Sequence, residues 1–103
     1  VVHRLGRDHP DMDRVSHRVH RGSRDVHLGP TEFRILDHLM QHPGRVFSRE
    51  QLLDAVWGSD VYVEARTVDV HIGRLRKALM VGEESDPIRT VRSAGYALDI
   101  ETA

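Results

Sequence analysis

The sequence predicts a single α+β domain in which a short antiparallel sheet precedes three helices and a C-terminal β-hairpin. Three observations predict this fold class. Apolar and polar side chains alternate over positions 12–28, as they do in half-buried strands. Apolar residues then recur with helical spacing in three segments, and a last alternating pattern with an internal glycine follows from position 88. With 103 residues, the chain can form one core of modest size.

The composition excludes several classes of protein. Hydrophobic residues make up 39% of the chain, and no apolar run approaches the ~20 residues that a membrane-spanning helix needs. The absence of cysteine excludes disulfides and thiolate metal sites, and nothing at the N-terminus resembles a signal peptide. We therefore expect a cytoplasmic protein with no membrane contact. Because the chain opens with Val1 and runs directly into strand-like sequence, we also expect it to be a piece of a longer polypeptide.

The predicted sheet comes first along the chain. Gly22, with its neighbours Arg21 and Ser23, forms a turn between two short strands. The breakers around Pro10 separate Val1–Leu5, which is a candidate further strand. Four apolar residues are expected to anchor the strands in the core: Val15, Val19, Val26 and Leu28.

Two helices are predicted next. Pro30 suits the first position of a helix, and Glu32 lies in the first turn, where the helix dipole favours an acid. This first helix ends before Pro43 and Gly44, and Val46–Phe47 is long enough only for a bridging strand. Ser48 and Gln51 then match a capping box that begins the second helix. The apolar stripe of the first helix comprises Phe33, Leu36, Leu39 and Met40, and the second helix is expected to bury Leu52, Leu53 and Val56.

The third helix, predicted to start near Glu64, separates an apolar face from a basic one. At 100° per residue, Val68, Ile72, Leu75 and Leu79 fall within about 60° of one another and face the core. The opposite face carries Arg66, Thr67, Val70, Arg74 and Lys77, with His71 and Gly73 on its flanks. Although the net charge of the chain is −1, positive charge is thus concentrated on this helix. A solvated charged face is the alternative interpretation.

The loop before this helix and the segment after it complete the prediction. Positions 57–63 suggest a structured loop with Trp57 and Tyr62 as anchors. The polar stretch from Gly82 to Pro87 ends the third helix, and strands beginning at Ile88 and Tyr96 form a hairpin that extends to Ile100. Arg92 lies near the tip of this hairpin, where a solvated turn charge is the alternative to a functional one.

These elements suit a protein that reads double-stranded DNA. The major groove, about 12 Å wide, admits one helix, and an arginine can donate two hydrogen bonds to guanine O6 and N7. Arg74 is the candidate base reader, while Thr67 and Val70 could touch a thymine methyl or a backbone oxygen. Arg92 could enter a narrow minor groove, where the negative potential is enhanced.

Two other classes of function compete with this one. His38 and His42 lie four residues apart on the first helix and could share a metal, but no third ligand is evident and a polar helix face is the simpler interpretation. HExxH, GxSxG and P-loop motifs are missing, so neither an enzyme nor a cofactor is expected. The remaining alternative is an interaction domain that uses the loop and the hairpin without DNA.

Three segments resemble the OmpR/PhoB family of response-regulator effector domains. They are GPTEFRILDHLMQHPGRVFSREQLLDAVWG at 29–58, VYVEARTVDVHIGRLRKAL at 61–79 and IRTVRSAGYAL at 88–98. The resemblance covers about residues 12–100 and implies a winged helix-turn-helix over 1–103. It also implies that a phosphorylatable receiver domain lies outside this chain. Within the family, the likeness is strongest to activators of phosphate-responsive genes, which bind promoters as tandem copies of a domain that is monomeric in isolation.

The resemblance also implies roles for individual residues. It assigns base or groove-floor contact to Thr67, Asp69 and Arg74, and minor-groove insertion to Arg92. The Asp69 carboxylate could accept from cytosine N4 or orient a neighbouring arginine, and a helix-face pairing with Arg66 or with the neighbours of Gly73 is the structural alternative. Phosphate contacts are expected from Trp57, Arg66, His71, Arg76, Lys77, Thr90 and Tyr96, and contact with the sigma subunit of RNA polymerase from a loop that includes Trp57, Gly58, Val63 and Glu64.

The chain departs from the family pattern at two positions. A basic residue is usual where Gly73 stands, and an acidic one where Ala65 stands. We expect Gly73 to cost a phosphate contact and, relative to alanine, roughly 1 kcal/mol of helix propensity. Ala65 removes a charge from the end of the polymerase-contact loop.

Overall fold

The predicted order of elements is confirmed. The computed structural model describes residues 2–3, 10–58, 63–82 and 85–99. Predictions that involve Val1, Leu5, Tyr62 and Ile100 lie outside these residues. The elements are β1 (Val2–His3), β2 (Asp11–Asp13), β3 (Arg18–Arg21), β4 (Arg24–Val26), α1 (Pro30–Gln41), α2 (Arg49–Val56), α3 (Arg66–Leu79), β5 (Ile88–Val91) and β6 (Gly95–Leu98).

The N-terminal sheet is antiparallel, in the order β1-β2-β3-β4. Met12, Val19 and Val26 are buried beneath it, and Leu28 packs against the same core. Val15, which we predicted to be a core anchor, is instead 88% exposed. The alternating pattern fails there because the Asp13 carboxylate accepts a hydrogen bond from the Val15 backbone N–H at 2.9 Å and folds the chain into a turn.

Helix α1 begins and packs as predicted. Pro30 occupies its first turn, and the Phe33 N–H donates to the carbonyl of the capping residue Gly29 at 2.9 Å. The predicted apolar stripe is buried, and Ile35 joins it. Beyond the helix, Phe47 exchanges two backbone hydrogen bonds with Tyr96 of β6, of 2.8 and 2.9 Å. This pairing is the predicted bridging strand.

Helices α2 and α3 form the helix-turn-helix unit. The Ser48 hydroxyl accepts from Gln51 N at 3.1 Å, and the Gln51 side chain accepts from Ser48 N at 2.8 Å, which confirms the capping box. Leu52 is fully buried, whereas Leu53 and Val56 are only partly covered. Helix α3 starts at Arg66, two residues later than predicted, and its predicted apolar face of Val68, Ile72, Leu75 and Leu79 is buried.

The hairpin of β5 and β6, which we call the wing, requires glycine at one position. Ile88 pairs with Leu98, and Val91 pairs with Gly95. Gly95 has φ of +139°, and a Cβ there would overlap the carbonyl oxygen of Phe47. Only glycine therefore allows the wing to lie against the bridging strand. The second wing strand ends at Leu98, before the predicted Ile100.

The N-terminal sheet is fixed to the C-terminal end of α3 by two arginines. Arg21 is buried and donates to the Leu79 carbonyl at 2.6 Å, and Arg24 donates to the same carbonyl at 3.0 Å. These cations satisfy carbonyl groups at the end of the helix and favour the negative end of its dipole. Within the described ranges, no helix is both long and apolar enough to cross a membrane.

Candidate nucleic-acid interface

The outer face of α3 is exposed and basic, as the helical periodicity predicted. The exposed residues of the helix include Arg66, Val70, Gly73, Arg74 and Lys77, and Val70 is 52% exposed despite its apolar side chain. Thr67 lies among them and is half-buried. Three predicted base-reading residues, Thr67, Val70 and Arg74, therefore share one face with two of the predicted phosphate contacts.

Arg66 does not pair with Asp69. Its Nε lies 2.6 Å from the Glu64 carboxylate, and both side chains are more than two-thirds exposed. An exposed pair of this kind contributes little to stability, so the guanidinium can exchange the carboxylate for another anion. The alternative in which Asp69 is the structural partner of Arg66 is therefore wrong.

Asp69 instead contacts two other elements. Arg49, the first residue of α2, donates to it from Nε and from Nη2, each at 3.0 Å, and the Tyr96 hydroxyl of β6 donates to the same carboxylate. Burial raises the pKa of Tyr96, and the hydrogen bond to Asp69 and the charge of that group raise it further. Asp69 thus joins α2, α3 and the wing.

Arg76 makes a second connection between α3 and the wing. Its Nη2 donates to the Ile88 carbonyl at 3.0 Å and to the Thr90 hydroxyl at 2.6 Å. Its Nε lies 2.9 Å from the Asp86 carboxylate, and its guanidinium stands over the Tyr96 ring, 5.6 Å from the centroid. Three predicted phosphate contacts, Arg76, Thr90 and Tyr96, are thereby brought together.

His71 faces inward on one flank of α3. Its Nδ1 pairs with the buried Glu32 carboxylate of α1, and its ring lies 5.4 Å from that of Trp57. Burial is the largest single effect and raises the pKa of Glu32, but the hydrogen bond with His71, a backbone hydrogen bond and the charges of His71 and Arg74 together lower it below its ordinary value. Two further predicted phosphate contacts, His71 and Trp57, therefore meet at this flank.

The wing presents Arg92 at its tip. Arg92 is exposed, and the neighbouring Ser93 adopts a left-handed conformation with φ of +65° that reverses the chain. Between the wing and the start of α2 lies an open groove of about 450 Å³. Cationic side chains from both elements line it, Arg49 from α2 and Arg92 from the wing, together with the Thr90 hydroxyl.

The predicted polymerase-contact loop is described only at its ends. Trp57 packs against the core, and Gly58 has φ of +86° and donates to the Leu53 carbonyl at 3.2 Å. Val63 is half-buried and Glu64 is exposed. The intervening residues 59–62 lie outside the described part of the chain.

The histidine pair at the C-terminal end of α1 packs around an aromatic ring. The centroids of His38 and Phe47 are 4.5 Å apart, and His42 lies 5.7 Å from the same ring. Burial lowers the pKa of His38, and the nearby His42 and Arg45 lower it further against the opposing charge of Asp37. In the ranges that the structure describes, no group of three or more His, Cys, Asp or Glu side chains could hold a metal ion.

Sequence reasoning missed Arg49. The sequence pattern around Arg49 indicates only a capping box, because helical periodicity describes each helix separately. The contact with Asp69 arises from the packing of α2 against α3, which brings the first residue of one helix to the first turn of the other. The one signal in the sequence was Asp69 itself, an acid on an otherwise basic face that requires a cationic partner.

Comparisons with known proteins agree on one family. Residues 23–98 match the family model described as "Transcriptional regulatory protein, C terminal". The phosphate regulon transcriptional regulatory protein PhoB of Rhizobium meliloti (strain 1021) is 67% identical over 89 residues, which cover 86% of this chain and 39% of that protein. The protein of the same name from Escherichia coli (strain K12) is 58% identical over 85 residues, which cover 82% of this chain and 37% of that protein. The chain thus spans about two-fifths of the length of these relatives.

A solved structure confirms the predicted winged-helix fold. The DNA-binding domain of Klebsiella pneumoniae RstA, crystallised in complex with the RstA box, superposes with a TM-score of 0.81 at 34% sequence identity. The match covers 95% of this chain and 96% of that domain.

Proposed function

Because the chain belongs to the family of transcriptional regulatory protein C-terminal domains, we propose that it binds double-stranded DNA as the effector domain of a two-component response regulator. The single observation that carries the proposal is the exposed basic face of α3, fixed to the wing through Asp69 and Arg76. The relatives at 67% and 58% identity are named as transcriptional regulators, and the RstA domain was crystallised with DNA. The role is non-enzymatic, and residues 1–103 form the effector domain.

In this proposal α3 lies in the major groove. Arg74 is exposed on the outer face, and its guanidinium can donate two hydrogen bonds to a guanine. The apolar side chain of Val70 is 52% exposed and suits contact with a thymine methyl, while Thr67 reaches a methyl or a backbone oxygen. The Asp69 carboxylate reaches the duplex only if its hydrogen bonds with Arg49 and Tyr96 leave it an edge that can accept from cytosine N4.

The wing lies over the adjacent minor groove. Arg92 is exposed at the tip, and a narrow A·T-rich minor groove attracts arginine through its enhanced negative potential. Arg92 therefore senses groove width and distinguishes A·T from G·C pairs, whereas Arg74 in the major groove selects a guanine through its O6 and N7 acceptors.

The phosphate contacts surround these readers. Arg66 and Lys77 are exposed on α3 and can approach the backbone directly. The Tyr96 hydroxyl donates its one hydrogen bond to Asp69, so donation to a phosphate requires that this hydrogen bond be exchanged. The full proposed set is Trp57, Arg66, His71, Arg76, Lys77, Thr90 and Tyr96.

Salt dependence tests the proposed DNA binding. A duplex selected from a random library by this chain is titrated between 50 and 200 mM salt. If several of the proposed side chains neutralise phosphates, log affinity falls linearly with log salt, by about 0.9 for each phosphate. A flat response, or equal affinity for single strands of the same sequence, would contradict the proposal.

We further propose that the full-length protein activates phosphate-responsive genes in the cytoplasm. The names of the relatives suggest the regulon, and their greater length suggests a receiver domain beyond this chain. Tandem copies bind the promoter, and the loop that includes Trp57, Gly58, Val63 and Glu64 contacts the sigma subunit of RNA polymerase. Replacing Val63 or Glu64 should then spare DNA affinity while lowering transcription in a reconstituted system. Equal losses in both assays would place the loop on DNA.

A further inference from the structure

Helix α3 contains a single acidic residue, Asp69, which lies in its first turn. An acid at this position repels the phosphates of a bound duplex, so its presence requires a compensating role. Its side chain is one-third exposed; its Oδ1 accepts from Arg49 and Tyr96, and its Oδ2 accepts from Arg49. Three of the roughly four acceptor sites of the carboxylate are thus used by neighbours within the protein, which indicates a role within the domain.

The contact between Asp69 and Arg49 leaves the outer edge of the guanidinium unoccupied. Arg49 uses Nε and one N–H of Nη2 to reach the two carboxylate oxygens, each at 3.0 Å. This side-on pair of hydrogen bonds fixes the plane of the guanidinium. Both N–H groups of Nη1 and the second N–H group of Nη2 remain available to another acceptor. They lack a partner among the described residues, and the Arg49 side chain is 52% exposed beside the groove of the wing. An arginine held in this way can still grip a phosphate end-on with two parallel hydrogen bonds.

The contact between Asp69 and Tyr96 fixes the wing. The Tyr96 hydroxyl donates to the carboxylate, and its buried ring lies beneath the guanidinium of Arg76. Arg76 in turn holds the Thr90 hydroxyl and the Ile88 carbonyl of the other wing strand. The angle between the wing and α3 is therefore set at both strands.

We propose that Asp69 is a positioning residue for DNA binding, which orients Arg49 toward a phosphate and holds the wing against α3. The inference depends on the proposed function and adds Arg49 to the surface that contacts the duplex. A surface assembled before binding loses less conformational freedom on contact, so an acid that repels phosphates can still increase affinity. In this role Asp69 acts through Arg49 and Tyr96.

The substitution Asp69→Asn separates this role from simple electrostatics. It keeps the shape and one acceptor for the Tyr96 hydroxyl, but it removes the charge and the two-oxygen fork. Loss of a negative charge near phosphates by itself tightens binding. The positioning role predicts the opposite, a loss of about tenfold in affinity for the selected duplex, which corresponds to one charge-assisted hydrogen bond. The loss is expected to be uniform across duplexes substituted one base pair at a time.

A double-mutant cycle with Arg49→Gln shows whether Asp69 acts through Arg49. Asp69→Asn and Arg49→Gln are each expected to make the slope of log affinity against log salt shallower by about 0.9. The variant that carries both substitutions is expected to have a slope no shallower than that of either single variant. Arg34→Gln is the matched control, because it removes the same charge from an exposed position on α1 and is expected to leave the slope nearly unchanged. Arg49→Lys should restore the charge but not the affinity, since a lysine cannot fork a carboxylate and a phosphate together.

The outcomes distinguish the inference from the proposed function. If the unmodified chain binds no duplex, the proposed function fails. If it binds, and Asp69→Asn binds equally or more tightly, only the inference fails. A loss confined to one base pair makes Asp69 a base reader and also overturns it. If thermal unfolding shows that Asp69→Asn does not fold, the test depends on Arg49→Gln alone. The inference is then overturned if Arg49→Gln and Arg34→Gln give the same slope of log affinity against log salt.

Discussion

Arginine at position 73 should restore a phosphate contact that this chain lacks. Gly73 is exposed on α3 between the base-reading face and the flank, and a Cβ built there meets no atom within 4 Å. A larger side chain therefore enters open space, and the substitution should not disturb the fold. Gly73→Arg adds both a cation and a better helix former, so Gly73→Ala is the matched control that adds only the latter.

The two effects differ in size and in their response to salt. Either substitution should raise the free energy of unfolding by roughly 1 kcal/mol, the difference in helix propensity between glycine and these residues. Only Gly73→Arg should steepen the plot of log affinity against log salt, by about 0.9. Its advantage over Gly73→Ala should therefore shrink about 3.5-fold between 50 and 200 mM salt, since one additional phosphate is neutralised.

Fluorescence anisotropy on the selected duplex and on an unrelated duplex of equal length measures both quantities. Because a phosphate contact carries no sequence information, Gly73→Arg should tighten binding to the two duplexes alike. If the gain appeared only on the selected duplex, position 73 would face the bases and the assignment of the outer face of α3 would be wrong. An unchanged slope would place the position away from the backbone altogether.

Three further predictions concern the readers, the wing and the hydrogen bond between Glu32 and His71. Arg74→Ala should relax preference at a single base pair by about 1–3 kcal/mol, whereas Arg92→Ala should weaken binding mainly to sites with A·T-rich flanks, as a base-substitution series on both variants would reveal. Gly95→Ala should lower the free energy of unfolding in urea by more than about 2 kcal/mol, because its φ of +139° and a nearby carbonyl exclude a side chain; a smaller loss would mean that the wing can shift. Glu32→Gln should cost about 2 kcal/mol at pH 7, by loss of its charge-assisted hydrogen bond with His71. Since the pKa of Glu32 in the folded protein lies below its ordinary value, this stabilisation is present at any pH above the ordinary pKa and is lost as the pH falls through the pKa of the folded protein. The thermal unfolding temperatures of the unmodified chain and Glu32→Gln should therefore converge in acid.

Local chemistry made most of the fold predictable. The capping box at Ser48 and Gln51 and the proline at the start of α1 each fix a helix boundary through contacts within one turn. The predicted apolar face of α3 is buried because helical periodicity depends on backbone geometry alone. The strand pattern is wrong at Val15, because the Asp13 carboxylate accepts hydrogen bonds from the backbone N–H groups of Val15 and Ser16 and turns the chain where alternation alone predicted a strand.

The interface was less predictable than the fold, because its contacts join residues that are distant in sequence. The periodicity of α3 placed Arg74 and Val70 on the outer face, and both are exposed. It could not show that Arg49, 20 positions before Asp69, holds its carboxylate. Nor could it show that His71 turns toward Glu32, since that contact depends on how α1 packs against α3. Periodicity identifies a face, whereas the partners of each polar group depend on tertiary packing.

Methylation interference tests the central claim most directly. The duplex selected by this chain is methylated sparsely at guanine N7, in the major groove, and at adenine N3, in the minor groove, and bound and free fractions are compared. With α3 in the major groove and the wing in the minor groove, N7 methylation should block binding at one cluster of positions and N3 methylation at an adjacent A·T-rich cluster. Arg74→Ala should remove interference at a guanine of the first cluster, and Arg92→Ala should weaken it at the second. Binding that no methyl group in either groove disturbs would contradict the account.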